Sequence, residues 1–292
     1  MLTACMMVLA GLVASEPSDL FRSDNLVAWC IVPFDAKSRG PAERVAMLKK
    51  LGINRYAYDW RDKHLPTFEE EVKLCVQAGI RLQAVWFPAV MNKDAETILA
   101  ILKRQKIVTE LWVMPPDPTG ATDEAKIDQV VKAMKPIIAA ATEAGCTVGL
   151  YNHGGWIGEP ENLLKLLMAL NEPTVGVVYN LHHGHDHLNR LPEVFKLLKP
   201  HLKCVTLNGM EPKGDKIGKK ILPIGTGSLD VTVVRQLIDS GYKGPVAVLG
   251  HMHEYDVEAR LLDNLDGLSW VAGQLRGEAG KKPVYRTYAP KK

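Results

Sequence analysis

Val175-Gly176-Val177-Val178-Tyr179-Asn180-Leu181-His182-His183-Gly184-His185-Asp186-His187 joins a short, valine-rich apolar run to a burst of titratable side chains. A run of that length and β-branched content reads as a buried strand, and the polar residues after it then stand at the strand's carboxyl end. Open and closed α/β folds gather their chemistry at that end. Four of the chain's 9 histidines fall in this stretch. Taken alone, the cluster reads equally well as a solvated loop or as a turn whose imidazoles hydrogen-bond backbone, so the surrounding chain has to decide.

The same alternation recurs on both sides. Upstream, residues 147–152, 110–113, 81–86, 55–58 and 25–32 are short strand-like runs, and downstream 202–207 and 245–249 continue the series. Helical patterns fill the intervals. Gly40-Pro41 opens one with Val45, Leu48 and Leu51 at helical spacing, and Gly52 closes it. Thr67, with Glu70 three residues on, predicts a capping box for a helix that Gly79 ends. Residues 95–106, 161–170 and 192–198 are helical, as are 230–240, capped by Asp230, and 256–268. Thr122 or Asp123 caps a long helix through Val130, Met134, Ile137 and Ala141, in which Pro136 predicts a kink or break. Eight strands alternating with eight helices over roughly 250 residues predict an α/β fold, a single-domain (β/α)8 TIM barrel. An open doubly wound sheet would bring a Gly-rich phosphate loop after its first strand. Asp35-Ala36-Lys37-Ser38-Arg39-Gly40 carries neither that pattern nor a Walker motif. The barrel is expected over residues 25–272, with a basic tail over 273–292.

A formal charge of +3 is too small to imply a nucleic-acid partner, and no basic stripe stands out. Residues 1–15 are apolar and uncharged until Ser15-Glu16-Pro17 breaks the run. That is too short for a membrane span but resembles the apolar part of a secretory signal, with Val13, Ala14 and Ser15 suited to cleavage. Export to the periplasm is the expectation, a leader on a cytoplasmic protein the alternative. The 5 cysteines are scattered with no CxxC pair, so Cys30, Cys75, Cys146 and Cys204 are expected as buried small hydrophobes. Nothing in the sequence sets the oligomeric state.

In a barrel the strand ends meet on one face. They carry Asp59 and Trp60, Trp86 and Phe87, residues 151–156, residues 180–187, residues 206–210, and residues 250–253. Aromatic faces suit the apolar faces of a sugar ring, and Asn amides and imidazoles suit its hydroxyls. The partner expected is a small-molecule carbohydrate.

Three of these stretches carry a resemblance. Thr147-Val148-Gly149-Leu150-Tyr151-Asn152-His153-Gly154-Gly155-Trp156 is similar to the fifth-strand motif of the xylose isomerase-like barrel superfamily, a glutamate followed by Asn-His. Val177-Val178-Tyr179-Asn180-Leu181-His182-His183 resembles its sixth-strand motif, an aspartate followed three residues later by histidine. Leu222-Pro223-Ile224-Gly225-Thr226-Gly227-Ser228-Leu229-Asp230 resembles its Gly-x-Gly loop and helix cap. That superfamily contains sugar isomerases, ketose epimerases, inosose dehydratases and the endonuclease IV type of DNA-repair enzyme. The resemblance implies a divalent cation held by two glutamates, an aspartate and a histidine, and proton shuttling between neighbouring sugar carbons.

The chain departs from that pattern at each ligand. Tyr151 stands at the fifth-strand glutamate, Asn180 at the sixth-strand aspartate, Thr206 at the seventh-strand histidine, and Leu249 or Gly250 at the eighth-strand glutamate. Hard cations favour carboxylate oxygen, so the usual site is expected to be lost or weakened. Three readings stay open. One is a rebuilt imidazole site of His153, His183, His185 and His251 holding Zn, Mn or Ni. A second needs no metal: His153 and His183 serve as base and acid beside Asp59 and Tyr151. The third is a carbohydrate-binding barrel without catalysis. In the catalytic readings Asn152, Asn180 and Asn208 orient hydroxyls, with His185 and His251 beside them, and Trp86 and Trp156 form a stacking wall. His182 and His187 are expected in turns or at the surface, since alternation turns His182 away from His183. Glu159 and Glu161 read as helix-start residues, and Lys213, Lys216, Lys219 and Lys220 as a solvated charge run.

Overall fold

The computed structural model describes residues 17–289. The apolar leader and Cys5 lie outside them. Eight parallel strands close into a barrel in sequence order: β1 (Leu26–Trp29), β2 (Arg55–Tyr58), β3 (Arg81–Phe87), β4 (Glu110–Val113), β5 (Thr147–Tyr151), β6 (Val175–Asn180), β7 (Leu202–Leu207) and β8 (Val246–Leu249). The seam is β1 on β8, paired from Leu26 with Val246 to Trp29 with Leu249. Eight helices wrap the barrel: α1 (Pro41–Leu51), α2 (Phe68–Ala78), α3 (Lys93–Arg104), α4 (Asp123–Glu143), α5 (Pro160–Leu170), α6 (Leu191–Leu198), α7 (Asp230–Asp239) and α8 (Val257–Leu275). The expected fold class holds.

The apolar residues divide into two cores because each strand is buried on both faces. Outward-facing Tyr56, Val85, Leu111, Val148, Val177 and Val205 pack under the helices, and inward-facing Val27, Ala57, Ala84, Trp112, Val178, Cys204 and Ala247 fill the barrel. Gly149 is required there. A Cβ on it would lie 2.7 Å from the Val178 side chain and 3.0 Å from Trp112, so its absence admits the fully buried indole. Trp112 in turn supports Trp29, whose ring centroid lies 4.8 Å away edge-on. This aromatic layer is the floor of the carboxyl-end cavity.

Several local expectations are corrected. β1 stops at Trp29 because Cys30 takes a left-handed φ of 56°. Thr67 makes no capping bond, since its hydroxyl donates to the His64 carbonyl at 3.0 Å. α3 starts earlier than expected because Asn92 caps it, accepting from Ala95 N at 2.9 Å. α4 is capped by Thr122 and runs through Pro136 unbroken. Pro136 and Lys132 both lie on the exposed face, where water can satisfy the Lys132 carbonyl that the ring leaves without a donor. The four described cysteines are free and buried, as expected.

The basic tail is tied to the barrel. α8 continues to Leu275, and the chain beyond it returns to the barrel. Buried Asp263 accepts hydrogen bonds from the Arg286 and Thr287 backbone N–H groups, and Tyr285 Oη donates to the Ile224 carbonyl at 3.0 Å. Among the described residues, no helix is long and apolar enough to cross a membrane.

Candidate active site

A cavity of about 290 Å³ opens at the carboxyl end of the strands. Its lining includes Trp29 from β1, Asp59 and Arg61 after β2, Trp86 from β3, Tyr151 and His153 at β5, and His182 and His183 after β6. Lys220 and Ile221 from the loop after β7 and His251 after β8 complete it. Of the residues singled out from the sequence, Asp59, Trp86, Tyr151, His153, His183 and His251 therefore come together.

Asp59 lies at the end of β2, almost wholly buried. Its Oδ1 accepts the backbone N–H groups of Ile31 at 3.2 Å and Val32 at 3.1 Å, while its Oδ2 is buried without any partner. Burial pushes its pKa up to about 6, against the opposing pull of the Val32 N–H and of the Arg61 and Arg44 charges.

Tyr151 replaces a charge with a neutral network. Trp29 Nε1 donates to its hydroxyl at 3.2 Å, and so does the Asn180 side-chain amide. The orientation of that amide follows from its other end. Asn180 Oδ1 accepts the His182 backbone N–H at 3.2 Å and the Thr206 hydroxyl, so the amide nitrogen must face Tyr151. Both lone pairs of the Tyr151 hydroxyl are thus taken by groups that can only donate. The hydroxyl is left as a donor. Burial raises its pKa far above the usual tyrosine range, so the proton stays on at neutral pH.

The imidazoles crowd one wall. Ring centroids are 4.1 Å apart for His153 and His183, 3.7 Å for His182 and His183, and 5.4 Å for His182 and His251. Burial, with the mutual repulsion that follows, lowers His183 to about 3 and His251 to about 4, and burial also lowers His153 and His182. All four are neutral near pH 7. His182 Nδ1 and His251 Nδ1 are buried without a hydrogen-bond partner.

The other expected contacts are structural. Asn152 ties β5 to β6, its Nδ2 donating to the Asn180 carbonyl at 3.2 Å and its Oδ1 accepting the Asn180 N–H at 2.6 Å. Asn208 and His185 both grip the Lys220 carbonyl, at 3.2 and 3.0 Å. Trp156 lies away from the cavity. Its turn is pinned where Ile157 N donates to Asp117 at 3.1 Å, and its indole N–H donates to Asp123 at 3.0 Å with Lys126 over the ring. Trp156→Phe should leave ligand binding unchanged and cost about 1 kcal/mol of stability, read by titration and by urea unfolding. Glu159 and Glu161 make ion pairs with Arg190 rather than caps, at 2.9 and 2.5 Å. Asp230, expected as a helix cap, instead accepts the Met210, Gly225 and Gly227 N–H groups and so shapes the Gly-x-Gly turn.

Trp29, His182, Arg61 and Lys220 are among the lining residues that escaped sequence reasoning. Trp29 was hidden inside an overlong strand. His182 faces the cavity because β6 ends at Asn180 and residues Leu181–His183 form a tight turn, where strand alternation no longer applies. His187 is also buried, its Nδ1 2.9 Å from the Tyr179 hydroxyl. Arg61 and Lys220 carried no motif, although the end of β2 was a usable signal for Arg61.

The model of the family described as "Xylose isomerase-like TIM barrel" matches residues 59–270, well over half of the chain and all but the first two strands of the barrel. The chain belongs to this family. No curated protein matches it in sequence. Among solved structures it is similar to 3-keto-D-glucoside 4-epimerase, YcjR, from E. coli, at 14% identity over 85% of this chain and 98% of that one, with a TM-score of 0.61. It is similar to the IOLI protein with a binding zinc atom, at 14% identity over 86% and 98%, TM-score 0.65. The probable 3-DHS dehydratase AsbF from Bacillus anthracis aligns at 11% identity over 84% and 98%, TM-score 0.67. Identities this low establish the shared fold.

Within the xylose isomerase-like family this chain's donors do not suit the usual divalent cation. Tyr151, Asn180 and Thr206 satisfy one another where charged ligands are expected. At the eighth strand, Gly250 has no room for glutamate, since a Cβ there would lie 2.5 Å from the Cys30 carbonyl oxygen. The four-histidine alternative does not assemble as a set either, because His185 is not among the residues lining the cavity that holds His153, His183 and His251. Among the described residues, no group of three or more His, Cys, Asp or Glu side chains is placed to hold a metal ion.

Proposed function

We propose that this cavity catalyses proton transfer at a carbon beside a carbonyl of a small carbohydrate or polyol derivative, giving isomerisation, epimerisation or elimination. The observation that carries the reading is the pairing of Asp59 Oδ2, buried without a partner, with the Tyr151 hydroxyl, whose lone pairs are both occupied, on one aromatic-walled cavity. The Asp59 carboxylate takes the proton from carbon. The C–H electron pair moves toward the carbonyl, and the developing oxyanion accepts the Tyr151 hydrogen bond. Return of the proton to the former carbonyl carbon, with the hydroxyl proton passing from the second oxygen to the first, isomerises the substrate, and return to the opposite face of the same carbon epimerises it. Loss of a β-hydroxyl eliminates water. A base of pKa about 6 is ionised at neutral pH and still accepts a proton usefully. His183, at about 3, is too weak a base for the role suggested by its position, and the imidazoles serve as neutral partners for hydroxyls. The named activities of YcjR, an epimerase, and AsbF, a probable dehydratase, support this reaction class.

A panel of sugars, keto-sugars and sugar acids in D2O, followed by NMR, tests the reading. Exchange of a carbon-bound hydrogen beside the carbonyl is expected for at least one ligand that binds, and binding without exchange would establish a carbohydrate-binding barrel instead. A zinc, manganese or nickel ion on His153, His183 and His251 is the weaker reading, supported by the zinc in the IOLI protein and opposed by the donor geometry. Stoichiometric metal in protein purified without chelator or affinity nickel would favour it. Export to the periplasm rests on the apolar residues 1–15, and an intact Met1 on native cytoplasmic protein would overturn it.

A further inference from the structure

The cavity carries two cations against one carboxylate. Its imidazoles are neutral, Asp59 is the one acidic residue in the lining, and Arg61 and Lys220 are its cations. Neither cation has a carboxylate partner among the described residues. Arg61 Nη1 donates only to the Asp59 and Trp60 carbonyls, at 2.8 and 2.7 Å, with the guanidinium 5.5 Å from the Phe34 ring centroid. The neighbouring Lys216 is paired with Asp215 at 2.8 Å, and Lys219 reaches Glu211 at 4.0 Å. Lys220 alone of this charge run lines the cavity.

Its position is built. Two buried side chains from different strand ends, Asn208 after β7 and His185 after β6, converge on the Lys220 carbonyl. The antiparallel bridge of Gly209 to Leu222 closes the same loop, and Gly214 allows His185 to approach, because a Cβ there would lie 2.9 Å from the imidazole. Two side chains of the fold are thus spent on the backbone carbonyl of one exposed lysine. A solvated surface charge needs no such anchoring.

We propose that Lys220, with Arg61, forms an anion subsite, and that the substrate is an acidic sugar derivative bearing a carboxylate or a phosphate. This rests on the proton-transfer reading for the cavity's chemistry, while the subsite itself is read by binding alone. Arg61 offers free guanidinium donors suited to a planar or tetrahedral oxyanion, and Lys220 a point charge. With both cations partly open to solvent, the attraction weakens as salt rises.

The test is calorimetric titration of the full chain with D-glucose, D-glucuronate and D-glucose 6-phosphate, repeated with the variant Lys220→Met. Tighter binding of glucuronate alone identifies a carboxylate substrate, and of the phosphate alone a phosphorylated one. In either case the preference over glucose should be about tenfold or more, and Lys220→Met should remove most of it. Lys220→Arg should retain the preference, and Asn208→Ala, which loosens the anchor, should reduce it. Equal affinity for glucose and both anions overturns the subsite, as does an anion preference that survives in Lys220→Met. Failure to bind either anion at millimolar concentration overturns it too. Loss of D2O exchange with anion binding intact would instead overturn the proton-transfer reading and leave the subsite standing.

Discussion

Asp59→Asn is expected to abolish carbon-hydrogen exchange, by about 10²- to 10⁴-fold, while making the protein more stable at alkaline pH. The two effects share one cause. Asparagine keeps an oxygen for the Ile31 and Val32 N–H groups but removes the charge that the buried site disfavours. The folded-state pKa is raised from 3.8 to about 6, so the proton-linked stability of wild type is fully present below about pH 4 and is lost as pH rises through about 6. The shift of about two units corresponds to about 3 kcal/mol. Urea unfolding of both proteins from about pH 4 to about pH 8 should therefore show the difference moving in the variant's favour by that order, with little change above about pH 7. A constant difference across the range would mean that Asp59 carries no buried charge. In wild type the exchange rate should rise through about pH 6, and the absence of that limb would remove Asp59 as the base.

Tyr151→Phe should lower exchange by about 10²- to 10³-fold, the usual cost of losing one donor to a developing oxyanion. It should also destabilise the protein, because the Trp29 indole N–H and the Asn180 amide N–H then lack a buried acceptor, at about 1–3 kcal/mol each. A purely structural role would give the second effect alone. The distinguishing measurement is the pH profile: the limb near 6 belongs to Asp59 and should persist while the plateau falls. A rate unchanged on the surviving folded fraction would remove Tyr151 from the chemistry.

Much of the architecture was legible because its determinants are local. β2, β4 and β7 begin and end where their apolar runs do, and α1 and α2 stop at Gly52 and Gly79, both in the left-handed conformation that glycine favours. The site was legible to the extent that barrel geometry sends strand ends to one face, which brought Asp59, Trp86, Tyr151, His153, His183 and His251 together from five strands. Reading failed where a side chain's direction depended on something distant in sequence. His182 needed the turn that Asn180 caps, and Trp156 needed the Asp117 and Asp123 contacts that hold it outside.

The histidine-rich stretch after β6 shows where the division falls. Valine content and spacing determined that residues 175–180 are a buried strand and that its carboxyl end carries polar chemistry, since backbone preference and burial act residue by residue. The loss of each familiar charged ligand was equally plain from residue types alone. Only the tertiary structure decided what replaced them: an amide locked by the His182 N–H, a tyrosine left with a proton to give, an aspartate oxygen without a partner, and one lysine held in place among four. Hydrogen-bond satisfaction is a property of neighbours in space, and a group's availability for chemistry depends on which of its partners are already taken.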